Sequence, residues 1–154
     1  MPIGPVAFLV DTNVLVYAYD PSDAPKRARA TEVLEALAAR GTGCLSVQVL
    51  GEFFVTVTRK IPARLTAARA ERSVTNYARS WPVLDLTTPV LLEATRGSRR
   101  HQLAYRDALI WATAKAHGVP NVLSEDFRHG ALVEGVRFVS PFASGFDVAS
   151  LGPP

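Results

Sequence analysis

Asp11, Glu52, Asp107 and Asp126 stand where an acid is out of place. Asp11 closes the apolar run Val6-Ala7-Phe8-Leu9-Val10, and Glu52 lies inside Val49-Leu50-Gly51-Glu52-Phe53-Phe54-Val55. Asp107 opens Asp107-Ala108-Leu109-Ile110-Trp111-Ala112, and Asp126 follows Leu123-Ser124-Glu125. Isolated ionised carboxylates in such company cost several kcal/mol each unless something compensates them. One divalent cation, or two, would compensate all of them together. Mg²⁺ and Mn²⁺ suit a shell of carboxylates and water. Taken singly, Asp11, Asp107 and Asp126 also suit ordinary capping or first-turn positions. Glu52 has no such role in mid-helix. Asp85, within Val83–Leu86, fits a half-exposed strand by alternation and is set aside.

The elements that must carry these acids are legible in the order of apolar runs and punctuation. Val6–Val10 is a short continuous apolar run, the pattern of a strand buried on both faces. Ser22–Arg40 predicts a helix, with Asp23 as cap, Pro25 in the first turn, and Gly41 and Gly43 as stops. Cys44-Leu45 predicts a brief strand, after which Ser46 caps a helix to about Arg59. Thr66–Ser80 reads as a helix, Val83–Leu86 as a strand, and Thr88-Pro89 starts a helix to about Gly97. Tyr105–His117 is a helix stopped by Gly118, and Asn121–Leu123 and Val136–Val139 are the last strands. Strands alternating with helices predict a three-layer α/β domain around a mainly parallel sheet. That domain is expected over residues 1–142, with a loosely held tail over 143–154. In an open parallel sheet ligands bind beyond the carboxyl ends of the strands, so Asp11 and Asp126 should project from one edge.

Composition narrows the class further. The 154 residues are 48% apolar and 20% charged, enough for one domain with a real core, and disorder is excluded. No apolar run is long enough to span a bilayer, and Met1-Pro2-Ile3-Gly4-Pro5 lacks the pattern of a secretory signal. Cys44 is the single cysteine, so a disulfide framework within the chain is excluded and a cytoplasmic setting is expected. The net charge of +3 is carried mostly by arginine and is compatible with a polyanionic partner.

Val10-Asp11-Thr12-Asn13-Val14-Leu15-Val16-Tyr17, Glu52, Arg106-Asp107-Ala108 and Leu123-Ser124-Glu125-Asp126 together resemble the PIN-domain ribonucleases. Within that family the chain is most similar to the VapC-type toxins of bacterial toxin–antitoxin pairs. The similarity covers nearly the whole chain, and the phrases Asp126-Phe127-Arg128-His129-Gly130 and Val136–Phe142 belong to it. It implies an Mg²⁺- or Mn²⁺-dependent endoribonuclease that leaves 5′-phosphate and 3′-hydroxyl ends. It implies Asp11, Glu52, Asp107 and Asp126 as the catalytic and metal-binding cluster. Thr12, Asn13 and Ser124 are implied as supporting positions, with Glu125 an outer partner. It implies a homodimer held in check by a cognate antitoxin protein.

The chemistry is coherent with those residues. Phosphodiester hydrolysis needs an activated water and compensation of charge on the phosphoryl and leaving oxygens, which carboxylate-bound Mg²⁺ supplies; two ions about 4 Å apart divide the labour. Asp11 and Asp107 are expected as the closest ligands, with Glu52 and Asp126 acting through water or on the nucleophile. Because acids repel RNA, a basic rim is needed. Arg96, Arg99, Arg100 and Arg106 near Asp107, and Arg59 and Lys60 after the Glu52 helix, are the candidates, against a plain solvated face. Trp111 and Phe53 lie in apolar helical runs and are expected in the core. His101, His117 and His129 show no metal-ligand spacing. Two alternatives stay open. A non-catalytic RNA-binding module would have lost an acid, and a phosphatase using Asp11 as phospho-acceptor would carry an acid at position 13, which is Asn13.

Overall fold

The apolar runs become short strands stacked side by side in the computed structural model, which describes residues 6–153. Met1–Pro5, expected to lack signal character, and Pro154 lie outside the described residues. The strands are β1 (Phe8–Val10), β2 (Gly43–Ser46), β3 (Val83–Leu84), β4 (Asn121–Leu123), β5 (Leu132–Val133) and β6 (Val136–Val139). They form one sheet in the order β3-β2-β1-β4-β6-β5, parallel throughout except for the antiparallel β5–β6 edge. Every residue of β1 and β2 is buried, as expected of strands covered on both faces. From β1 the chain builds towards β2 and β3 on one side, and later towards β4 and β6 on the other. The order therefore reverses between β1 and β4, which makes that pair the topological switch point.

The helices are α1 (Thr12–Tyr17), α2 (Ala24–Arg40), α3 (Val47–Arg59), α4 (Ala67–Ser80), α5 (Thr88–His101) and α6 (Tyr105–Ala116). Their starts follow from local chemistry. The Asp23 carboxylate accepts from Lys26 N at 3.1 Å, Ser46 Oγ from Val49 N at 3.1 Å, and Thr66 Oγ1 from Arg69 N at 3.2 Å. Gly41 ends α2 at φ 66°, a conformation that glycine adopts without strain. The helices flank a mostly parallel sheet, giving the expected α/β architecture. Phe53 and Trp111 lie fully buried in the core, alongside Leu9, Leu45, Ile110 and Phe138.

Four local details differ from the sequence expectation. Gly97 does not end α5, which runs on to His101. It marks a close approach instead, since a Cβ there would stand 2.1 Å from Trp111 Cζ3 on α6. The third strand stops at Leu84, and Asp85 is exposed in the loop beyond it. The short edge strand β5 escaped notice because two residues carry too little periodicity. It turns into β6 through Glu134 and Gly135, both at positive φ (45° and 85°), the signature of a tight hairpin. The expected loose tail is instead docked. A 3₁₀ turn over Val148–Leu151 buries Leu151, whose carbonyl accepts from Thr42 Oγ1 at 2.8 Å, and Arg40 Nη1 donates to Val148 O at 2.7 Å.

Candidate active site

At the switch point the strand ends deliver two of the acids to one place. Asp11 follows β1 directly, and its backbone N–H donates to Leu123 O of β4 at 2.9 Å. Its carboxylate is fully buried and caps α1, accepting from Thr12 N at 2.7 Å. Ser124 follows β4, and its hydroxyl donates to Asp11 Oδ2 at 2.7 Å. The same Ser124 oxygen accepts from Asp126 N at 3.1 Å and from Asn13 Nδ2 at 3.2 Å. Asn13 Nδ2 also reaches Asp126 Oδ2 at 3.1 Å, while Asn13 Oδ1 accepts from Glu125 N at 3.4 Å. Asn13 and Ser124 thus fasten the two strand ends and their acids together. A buried carboxylate needs such partners.

The helices bring the other two acids. Asp107 sits in the first turn of α6, where the backbone dipole favours an anion. Burial lifts its carboxyl above the ordinary value of 3.8, the Arg106 guanidinium opposes that, and the charges of Asp11 and Asp126 add to it. One carboxylate oxygen from each of Asp11, Asp107 and Asp126 lies within 4.8 Å of the other two. Hard oxygen donors at that spacing, one buried and one exposed, fit a small divalent cation that keeps part of its water shell. Glu52 on α3 stands beside this group: Thr12 Oγ1 donates to its Oε2 at 3.0 Å, and Gln48 Nε2 to its Oε1 at 2.8 Å.

Arg106 joins all four acids. Its Nη2 is 2.5 Å from Asp11 Oδ1, its Nε 2.7 Å from Glu52 Oε2, and its Nη1 3.0 Å from Asp107 Oδ1 and 3.8 Å from Asp126 Oδ2. Burial disfavours its charge, but the bonds to Asp11 and Glu52 outweigh that and hold the guanidinium firmly protonated.

A cleft of about 730 Å³ opens beside the acids, with Glu52, Asp126, Arg106 and Lys60 among its walls. Of the basic candidates, Arg106 and Lys60 line this cleft, whereas Arg59, Arg96, Arg99 and Arg100 do not. Arg96 is held elsewhere by Glu93 and Glu134, over the Trp111 ring. Glu125 is likewise tied up at the rim. Tyr17 Oη donates to its Oε1 at 2.5 Å and Lys26 Nζ to its Oε2 at 2.8 Å. Sequence reasoning missed Gln48, Tyr17 and Lys26. Gln48 alone carried a signal, being four residues before Glu52 on the same helical face. His101 pairs with Glu134, His117 caps α6 by Nδ1 at 2.9 Å from Thr113 O, and His129 Nδ1 accepts from Ser140 N at 3.0 Å. Cys44 is buried, which pushes its thiol up to about 12 and leaves it unreactive.

An open, mostly parallel α/β sheet with carboxylates gathered beyond the ends of the two strands at its switch point defines a class of acidic-site domains. The chain belongs within it to the PIN domain family, whose profile matches residues 8–133. Solved structures agree in fold. A chain of a toxin–antitoxin complex from Klebsiella pneumoniae superposes with a TM-score of 0.66 at 20% identity, covering 88% of this chain and 98% of that one. The sarcin–ricin loop cleaving toxin VapC20 from Mycobacterium tuberculosis gives 0.62 at 23% identity over 85% and 99%. A chain of DNA-bound VapBC from Salmonella typhimurium gives 0.63 at 18% identity over 88% and 98%. No curated protein sequence matches the chain. Among the described residues no helix is long and apolar enough to cross a membrane.

Proposed function

We propose that the protein is a metal-dependent endoribonuclease, acting as the toxin of a toxin–antitoxin pair. The observation that carries this reading is the convergence of Asp11, Asp107 and Asp126 to within 4.8 Å beside a cleft that Asp126 lines. Asp11 and Asp107 would be the closest ligands of Mg²⁺ or Mn²⁺, with Asp126 completing the set and Glu52 at its flank. Held by these residues, such a cation would supply an activated water and compensate charge on the scissile phosphate. Asn13 and Ser124 hold the carboxylates in register, and Thr12 positions Glu52. Arg106 and Lys60 give the cleft its cationic wall, where phosphates flanking the scissile bond would bind. The neighbour of the same fold described as a sarcin–ricin loop cleaving toxin supports RNA as the substrate.

Fold neighbours that occur in toxin–antitoxin complexes support a cognate antitoxin, and a homodimer in a cytoplasmic setting is proposed beside it. Val47, Phe54 and Val55 on α3 expose 50%, 37% and 43% of their surface, an apolar face suited to a protein partner. The test is incubation of the purified protein with total RNA in Mg²⁺, in Mn²⁺ and in EDTA. Cleavage with either cation, 5′-phosphate ends and silence in EDTA are expected. RNA binding without cleavage under every condition would replace the enzyme with a non-catalytic binding module.

A further inference from the structure

Arg106 occupies the space that a cation between the acids would need. Its Nη1 has an oxygen of Asp107 at 3.0 Å, of Asp11 at 3.4 Å and of Asp126 at 3.8 Å. Those are the three acids whose oxygens lie within 4.8 Å of one another. Oxygens on opposite sides of an octahedral Mg²⁺ are about 4.2 Å apart, so the gap between them admits a metal or a guanidinium nitrogen but not both. We infer that Arg106 is a resident counter-cation of the metal-free site, which must swing out of the carboxylates before metal binds and then serves the cleft as a phosphate ligand. This rests on the metal-dependent nuclease reading above.

The position of Arg106 favours that exchange. It lies in the first turn of α6, where the helix dipole disfavours a cation, so the carboxylates alone hold its head group inward. A divalent charge among those carboxylates removes that attraction and adds a repulsion. The backbone stays in place, since Arg106 O accepts from Gln48 Nε2 at 3.1 Å. The side chain is 35% exposed and already forms part of the cleft wall, so an outward rotamer needs no change in the fold. A planar fork released beside bound RNA matches the two free oxygens of a phosphate. Arg106 would thus act twice, first neutralising the acids and then gripping substrate.

The experiment measures Mn²⁺ binding by calorimetry, and RNA affinity in Ca²⁺, for the wild type, Arg106→Gln and Arg106→Lys. Removing the competitor should tighten Mn²⁺ binding at least about tenfold in Arg106→Gln, with Arg106→Lys between the two, while RNA binding weakens in Arg106→Gln. A merely structural brace would instead loosen the acids and weaken Mn²⁺ binding. In the unaltered protein the Arg106 Nε–H resonance, assigned by its loss in Arg106→Lys, should shift when Mg²⁺ saturates the site. A resonance that stays in place, or Mn²⁺ affinity unchanged or reduced in a folded Arg106→Gln, overturns the inference while leaving the nuclease reading intact. Absence of Mn²⁺ binding in all three proteins overturns both.

Discussion

Replacing Asp107 by Asn keeps the shape of the side chain and removes one charge from the cluster. At an effective dielectric constant of about 20, a carboxylate 4.8 Å away repels Asp107 by about 3.5 kcal/mol, and Asp11 and Asp126 both lie within that distance. Arg106 Nη1 at 3.0 Å attracts it by about 5.5 kcal/mol on the same scale. Burial disfavours the charge, and the two repulsions together exceed the attraction by about 1.5 kcal/mol, in line with the raised pKa. Asp107 is 23% exposed at its side chain, so solvent screens what is left to about 1 kcal/mol. A raised carboxyl pKa stabilises the fold below the ordinary value of 3.8 and loses that stability as pH rises through the folded value. At pH 7.5 in EDTA, Asp107→Asn should therefore melt about 2–4 °C above the wild type, and the two should converge in acid. Mg²⁺ at a hundred times its dissociation constant should raise the wild-type melting point by about 5–10 °C, from about 2.7 kcal/mol of binding. In Asp107→Asn a tenfold weaker site leaves about half that increment at the same Mg²⁺, and RNA cleavage should fall below about one-hundredth. Differential scanning fluorimetry with and without Mg²⁺, beside a gel assay, reads all of this. A variant that melts lower in EDTA, keeps the full increment and still cleaves would refute the reasoning.

Two predictions concern the frame around the site. Gly97→Ala should destabilise by about 1–3 kcal/mol in urea unfolding, because its Cβ would fall 2.1 Å from Cζ3 of the fully buried Trp111; a change under about 0.5 kcal/mol would contradict the packing. Glu134 is held down to about 2 by His101, Arg96 and Lys115, so its contribution is present above 4.5 and lost as pH falls through about 2. Glu134→Gln should accordingly melt lower at pH 7 and match the wild type near pH 2; an equal deficit at both pH values would exclude the ion-pair account.

The helix starts at Asp23, Ser46 and Thr66 and the stop at Gly41 were legible because capping is decided within three or four residues of chain. The buried strands and the core positions of Phe53 and Trp111 follow from apolar runs in the same way. Gly97 misled because a glycine that ends a helix and a glycine that admits an indole look alike in one dimension. The tail misled for a related reason. Its glycines and prolines signal irregular backbone, whereas its docking depends on Arg40 and Thr42, more than a hundred residues earlier.

The sequence by itself determined which residues could do chemistry. A carboxylate in an apolar run is anomalous wherever the chain goes, so Asp11, Glu52, Asp107 and Asp126 could be named before any contact was known. Only the tertiary structure decided how they are arranged and what balances them. Asp11, Asp107 and Asp126 form the close trio, Glu52 stands beside them, and Arg106, which the sequence assigns to the substrate's approach, sits among all four. The physical reason is range. Propensity and capping act along neighbouring residues, but the field at Arg106 comes from groups 95 and 54 residues away, brought together when β1, α3 and α6 pack at one edge of the sheet.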